Sequence, residues 1–118
     1  CINIHSSPLP DYRGMMPNFW QMYYNEDYSV LTIHKMVEEL DKGEIIYQRK
    51  TEIKADMTLE DLVRQVKLNA ARALWKVLKQ YLTETVEYTP LPDKEGSYFS
   101  FPSAEDADEF KARGNQLL

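Results

Sequence analysis

The sequence is short of most of the features that would place it quickly. It holds one cysteine, Cys1, in 118 residues. An internal disulfide framework and a cysteine-rich zinc site are thereby excluded. No apolar run approaches the roughly 18 residues that a membrane-spanning helix needs. No signal peptide opens the chain, and a reducing, cytoplasmic setting is expected. Basic residues are outnumbered, 14 Lys and Arg against 19 Asp and Glu, for a net charge of -5. A general grip on nucleic-acid phosphate is disfavoured by that balance. Repeats and low-complexity segments are absent as well.

What remains is ordinary globular material. Hydrophobic residues make up 43% and charged residues 28%, so wholesale disorder is not expected. The length suits one small domain, which buries about 65% of its unfolded surface. The chain opens at Cys1 and runs straight into Ile2-Asn3-Ile4-His5, which reads as the end of a buried strand. The expectation is a piece of a longer protein.

Local patterns predict the elements. Residues 6–14 are loop chemistry, with two prolines and Gly14. Pro17 suits the first position of a helix over about residues 17–25, with Phe19, Trp20 and Tyr23 on one face. Residues 30–37 and 44–53 read as strands joined by a polar turn, suggesting neighbours in a hairpin. The clearest element is a helix over 58–82. Thr58 and Asp61 resemble a capping box. Leu62, Val63, Val66, Ala70, Ala73, Leu74, Val77, Leu78 and Tyr81 form an apolar stripe suited to covering a sheet. Residues 83–102 read as extended or loop. Ser103 and Asp106 open a short helix that Gly114 ends.

Three polar residues beside the strands carry candidate chemistry: Asn3, His5 and Asp41. An Asn amide can donate to an oxyanion, and a His can shuttle a proton near neutral pH. A neighbouring carboxylate can fix the His tautomer and favour its charged form. Together they could stabilise a tetrahedral intermediate of acyl transfer. Spacing alone does not bring them together, and structural roles then lead: Asn3 capping a turn, His5 a satisfied buried imidazole, Asp41 a turn carboxylate beside Gly43.

A longer ordered series changes the balance. Asn3-Ile4-His5 runs into Ser7-Pro8-Leu9-Pro10-Asp11-Tyr12-Arg13-Gly14, then through Pro17-Asn18-Phe19-Trp20 and Val30 to Met36, and on to Leu40-Asp41-Lys42-Gly43-Glu44-Ile45-Ile46. This series, over about residues 2–50, resembles the superfamily of formyltransferases that use 10-formyltetrahydrofolate. The resemblance implies an α/β fold, the C-terminal portion of a Rossmann-like catalytic domain. That domain has a mostly parallel sheet, and this portion a few strands and the long amphipathic helix. The chain then divides into active-site motifs over 1–50, the helix 58–82, and a C-terminal extension 83–118.

The resemblance also implies roles. Asn3, His5 and Asp41 stand where the family carries its catalytic Asn, His and Asp, and Asp41 is placed against the folate as well. Asn3 and a protonated His5 would stabilise charge on the formyl oxygen, with Asp41 supporting that His. No metal is required. Arg13 either meets an anionic substrate or pins its own loop, and His34, in mid-strand, takes a structural role. The expected partners are the co-substrate 10-formyltetrahydrofolate and a small-molecule amine, with neither membrane nor nucleic acid among them. A homo-oligomer is compatible with this reading.

The Pro-Asn-Phe-Trp segment resembles the sugar formyltransferase branch, so a nucleotide-linked amino sugar is the favoured acceptor. Ser6 departs from the proline that many members carry. Residues 83–118 match no accessory domain, and a tRNA-binding domain would be longer and basic. The alternatives are a formyltetrahydrofolate hydrolase, a methionyl-tRNA or glycinamide ribonucleotide formyltransferase, and a non-catalytic folate-binding member.

Overall fold

Apolar alternation in three short runs builds a sheet, and one long amphipathic helix covers it. A computed structural model describes residues 2–36, 43–92 and 94–118. The elements are β1 (Ile2–His5), β2 (Arg13–Gly14), α1 (Pro17–Tyr23), β3 (Tyr28–Lys35), β4 (Ile45–Glu52), α2 (Leu59–Leu82), β5 (Tyr98–Phe99) and α3 (Ala104–Ala112). Among them no helix is long and apolar enough to cross a membrane. Of the polar turn expected over 38–43, residues 38–42, with Asp41, lie outside the described residues.

The main sheet has the order β1-β3-β4. Both of its pairings are antiparallel, with Asn3 opposite His34, His5 opposite Thr32, and Thr32 opposite Gln48. This is the expected hairpin of β3 and β4. The mostly parallel arrangement implied for the whole domain does not appear within these three strands. The parallel pair among the described residues is β2 with β5. A register shift between Ile33 and His34 leaves Ile46 as an extra residue on β4. Such a bulge turns consecutive side chains to one side, and both Ile46 and Tyr47 join the core beneath the sheet.

Helix α2 starts as its sequence requires. The Thr58 hydroxyl accepts from the Asp61 amide, and the Asp61 carboxylate accepts from the Thr58 amide, each at 3.1 Å. A reciprocal box of the same kind opens α3 with Ser103 and Asp106. All three helices end alike. The residue after the cap turns left-handed, at Asn25 (φ 58), Glu84 (φ 56) and Gly114 (φ 91). Its amide and the next bond back to carbonyls of the last turn. This stop brings α1 to its end at Tyr23 rather than 25.

Two cores share α2. Its first half places Leu59, Leu62 and Val66 against Phe19, Trp20 and Met22 of α1 and Phe110 of α3. Its second half places Ala73 and Val77 under Leu31, Ile33 and Ile46 of the sheet. Each fully buried Leu, Val or Phe contributes about 1.5–3 kcal/mol. Buried polar pairs tie the parts together. Asn69 of α2 donates to the Thr51 hydroxyl at 2.7 Å, and the Ser29 hydroxyl donates to Asn18 of α1 at 3.1 Å.

The C-terminal segment is part of this packing. Phe110 stacks on Phe19 at 4.5 Å, Phe99 stacks on Trp20 at 4.9 Å, and the Trp20 indole donates to the Ser100 carbonyl at 3.1 Å. Gly14 is needed where β2 meets β5: its φ is +100, and a Cβ there would stand 2.1 Å from the Phe99 carbonyl oxygen.

Candidate active site

Strand alternation decides where the candidate pair points. Successive side chains leave a strand on opposite faces. Ile2 and Ile4 pack against the core that α2 covers. Asn3 and His5 therefore share the other face, together with His34 and Thr32, which stand directly across from them on β3. Thr32 and His34 on this face are buried although polar.

The loop after β1 folds back over this face. The Thr32 hydroxyl donates to the Ser7 carbonyl at 2.6 Å and accepts from the Gln48 amide at 3.1 Å. Leu9 is buried. The loop then reaches Tyr12, whose carbonyl lies 3.1 Å from His5 Nε2. A carbonyl only accepts, so Nε2 carries the proton and donates it there. That contact fixes the ring's orientation and the proton-bearing nitrogen.

Tyr12 is itself held. Its φ is 56, a left-handed conformation that a bulky residue rarely adopts. Its amide donates to the Ser97 hydroxyl at 2.8 Å. Its ring stacks on Phe99 at 5.5 Å. Burial, with Glu26 nearby, pushes the Tyr12 hydroxyl well above the ordinary tyrosine range. Tyr12 therefore stays neutral, and its backbone is the part that meets His5.

The other expected residues fall as follows. His34 is buried, and its Nδ1–H donates to the Lys35 carbonyl at 3.0 Å, in keeping with a structural role. Arg13 donates from Nη2 to the Glu95 carbonyl at 3.3 Å, and its buried Nε has no hydrogen-bond partner among the described residues. Asp41 lies outside the described residues. Because β1 and β3 are antiparallel, β3 ends beside Ile2, at the start of β1, rather than beside His5. Among the described residues no group of three His, Cys, Asp or Glu could hold a metal ion.

Sequence reasoning missed Tyr12 as a neighbour of His5, and Ser97 as the partner of Tyr12. The Tyr12 contact uses a main-chain carbonyl, which any residue supplies, and Ser97 is 85 residues from Tyr12. The one available signal was the pair of glycines, Gly14 and Gly96, where loop and segment press together.

An α/β sheet whose first strand presents Asn and His at a looped polar face is one arrangement for acyl transfer. Comparison with known proteins makes the class specific. Residues 1–78 match the family model described as formyl transferase, and the chain belongs to that family. The methionyl-tRNA formyltransferase of Macrococcus caseolyticus is 34% identical over 106 residues, covering 90% of this chain and 34% of that protein. The same enzyme of Agathobacter rectalis is 30% identical over 105 residues, covering 89% of this chain and 34% of that protein. Among solved structures, the N-formyltransferase of Helicobacter canadensis, in complex with folinic acid and dTDP-3-aminofucose, superposes with a TM-score of 0.77 at 28% identity. It covers 89% of this chain and 38% of that one. The formyltransferase PseJ of Anoxybacillus kamchatkensis, in complex with a UDP-linked formamido sugar and tetrahydrofolate, superposes with a TM-score of 0.75 at 26% identity. It covers 94% of this chain and 56% of that one. The chain thus spans about a third of the length of these curated relatives, and its fold is that of the Rossmann-like formyltransferases.

Proposed function

We propose that this chain is part of a catalytic domain that moves a formyl group from 10-formyltetrahydrofolate to a primary amine. The observation that carries the reading is Asn3 and His5 on one face of β1, with the His5 ring oriented by the Tyr12 carbonyl. The amine nitrogen attacks the formyl carbon. A carbon–nitrogen bond forms and negative charge builds on the formyl oxygen. The Asn3 amide and a protonated His5 stabilise that charge. The bond to the folate nitrogen then breaks, and Asp41 helps move the proton that the amine loses to the departing folate. Removing one such donor costs about 10²–10³-fold in turnover.

The acceptor is a nucleotide-linked amino sugar. Support comes from the Pro17-Asn18-Phe19-Trp20 segment, the acidic balance of the chain, and solved neighbours described with nucleotide-sugar ligands. Methionyl-tRNA is the second reading, because the curated relatives named above are methionyl-tRNA formyltransferases. Arg13 contributes to binding an anionic group of the substrate, its guanidinium suiting phosphate.

The test uses the full-length protein and follows loss of the formyl-folate by absorbance. It is run with nucleotide amino sugars, with methionyl-tRNA and with no amine, beside His5→Ala. Turnover that needs an amino sugar and collapses with His5→Ala supports the reading. Turnover with methionyl-tRNA alone selects the second acceptor. Turnover without any amine indicates a hydrolase, and folate that neither binds nor reacts overturns the reading.

A further inference from the structure

We propose that Ser97 is a positioning residue for His5, and that residues 94–100 form a strap that sets the geometry of the candidate site. The strap lies beyond residue 78, where the family model ends, and it binds the loop over residues 10–15 closely. Ser97 donates its amide to the Pro10 carbonyl at 3.3 Å and accepts from the Arg13 amide at 2.9 Å. The Met15 amide donates to the Phe99 carbonyl at 2.9 Å. Lys94 and Asp11 pair at 2.7 Å. The approach is so close that Cβ atoms at Gly14 and Gly96 would lie 2.1 Å and 2.4 Å from backbone oxygens of the opposite segment.

This closeness has a use at Tyr12. A tyrosine at φ 56 occupies an unfavourable region. Such a conformation persists only where the surroundings over-determine it. The Ser97 hydroxyl takes the Tyr12 amide at 2.8 Å and the Phe99 ring takes the Tyr12 ring. With the amide anchored, the Tyr12 carbonyl is aimed at His5 Nε2. The strap's other hydrogen bonds to residues 10–15 are made by its main chain or by exposed side chains. The Ser97 hydroxyl is thus a single removable atom on the path from strap to His5.

This inference rests on His5 acting in formyl transfer, and its test separates the two ideas. Ser97→Ala, Ser97→Thr and His5→Ala are compared with the wild-type full-length protein, with Arg64→Ala as a control that cuts an exposed ion pair with Glu60 on α2, away from the strap. Two readouts are used: steady-state formyl transfer, and the imidazole nitrogen shifts of His5 by NMR. Wild-type His5 should show the Nε2–H tautomer. Ser97→Ala should lower kcat about tenfold with KM changed less than about twofold, as expected for lost orientation. It should also move the His5 shifts toward a tautomer mixture. Ser97→Thr keeps the hydroxyl and should recover both readouts, and Arg64→Ala should change neither.

The proposal fails if Ser97→Ala leaves the nitrogen shifts as they were, or if Ser97→Thr is no better than Ser97→Ala. A wild-type His5 without the Nε2–H tautomer also overturns it. If His5→Ala remains fully active, the proposed function falls instead, while the shifts still report on the Ser97–Tyr12–His5 link.

Discussion

Phe110 offers the most direct test of whether the C-terminal segment belongs to the core. Its ring is fully buried and stacks on Phe19 at 4.5 Å with planes 15° apart. Phe110→Ala removes the transfer free energy of a whole ring and leaves a cavity between α1, α2 and α3. For buried phenylalanines these two effects together cost about 3–5 kcal/mol. A domain of this size has only about 5–15 kcal/mol in total, so about a fifth of the stability or more should go. At about 4 °C per kcal/mol, the midpoint should fall by about 12–20 °C. Thermal unfolding followed by near-ultraviolet circular dichroism suits the measurement, because Phe19, Trp20, Tyr23 and Phe99 surround the site. Phe101→Ala is the control: Phe101 is 63% exposed and should cost no more than about 0.5 kcal/mol. A fall of less than about 3 °C for Phe110→Ala would refute the reasoning, since it would mean that α3 can leave without loss.

Three further outcomes are expected. Gly14→Ala should destabilise by more than about 2 kcal/mol, against about 1 kcal/mol for Gly114→Ala. Both are left-handed, but a Cβ meets Phe99 at the first and nothing within 4 Å at the second; equal urea midpoints for the two variants would contradict this. The Asp61 carboxyl is held below its ordinary range by the Thr58 amide and hydroxyl. Its contribution is therefore complete above the unfolded value of about 3.9 and lost as pH falls below it. Asp61→Asn should flatten part of the acid limb of a stability–pH profile while lowering the plateau at neutral pH, and an unchanged acid limb would count against the box. Asn69→Ala leaves the buried Thr51 hydroxyl without its donor and should cost about 1–3 kcal/mol by denaturant titration. Adding Thr51→Val to Asn69→Ala should recover part of that loss.

The helices were legible because their signals are local. The Thr58 and Asp61 box and the 3.6-residue stripe predict α2 almost to the residue, and Ser103 with Asp106 does the same for α3. The buried stripe is narrower than the apolar one. Leu62, Val66, Ala73 and Val77 are buried, whereas Leu78 and Tyr81 stand on the exposed side. Asn69 lies on the buried face although it is polar, and only its partner on β4 makes that affordable. The two-residue strands β2 and β5 carry no periodicity to detect, and Phe110 finds its partner 91 positions upstream. Strand direction is likewise not written in a four-residue run such as Ile2–His5. Asn3 and His5 were legible as chemistry, and strand alternation predicts their common face. The contacts around His5 were not, because the His5 partner is a main-chain oxygen of Tyr12 and the Tyr12 amide is held by a distant serine.

Helix α2 serves two cores with one surface stripe, and this makes its length a quantised property. Each residue turns the helix by about 100° and advances it by 1.5 Å. One residue inserted between Val66 and Ala73 would rotate one half relative to the other. Leu62 and Val66 would keep their place against α1 only if Ala73 and Val77 turned away from the sheet. Seven added residues would restore the rotation but push the two cores about 10 Å apart. The middle of α2 thus acts as a gauge block between the aromatic cluster under the site loop and the sheet that carries His5. Variation in chain length should collect in the loops and avoid this helix.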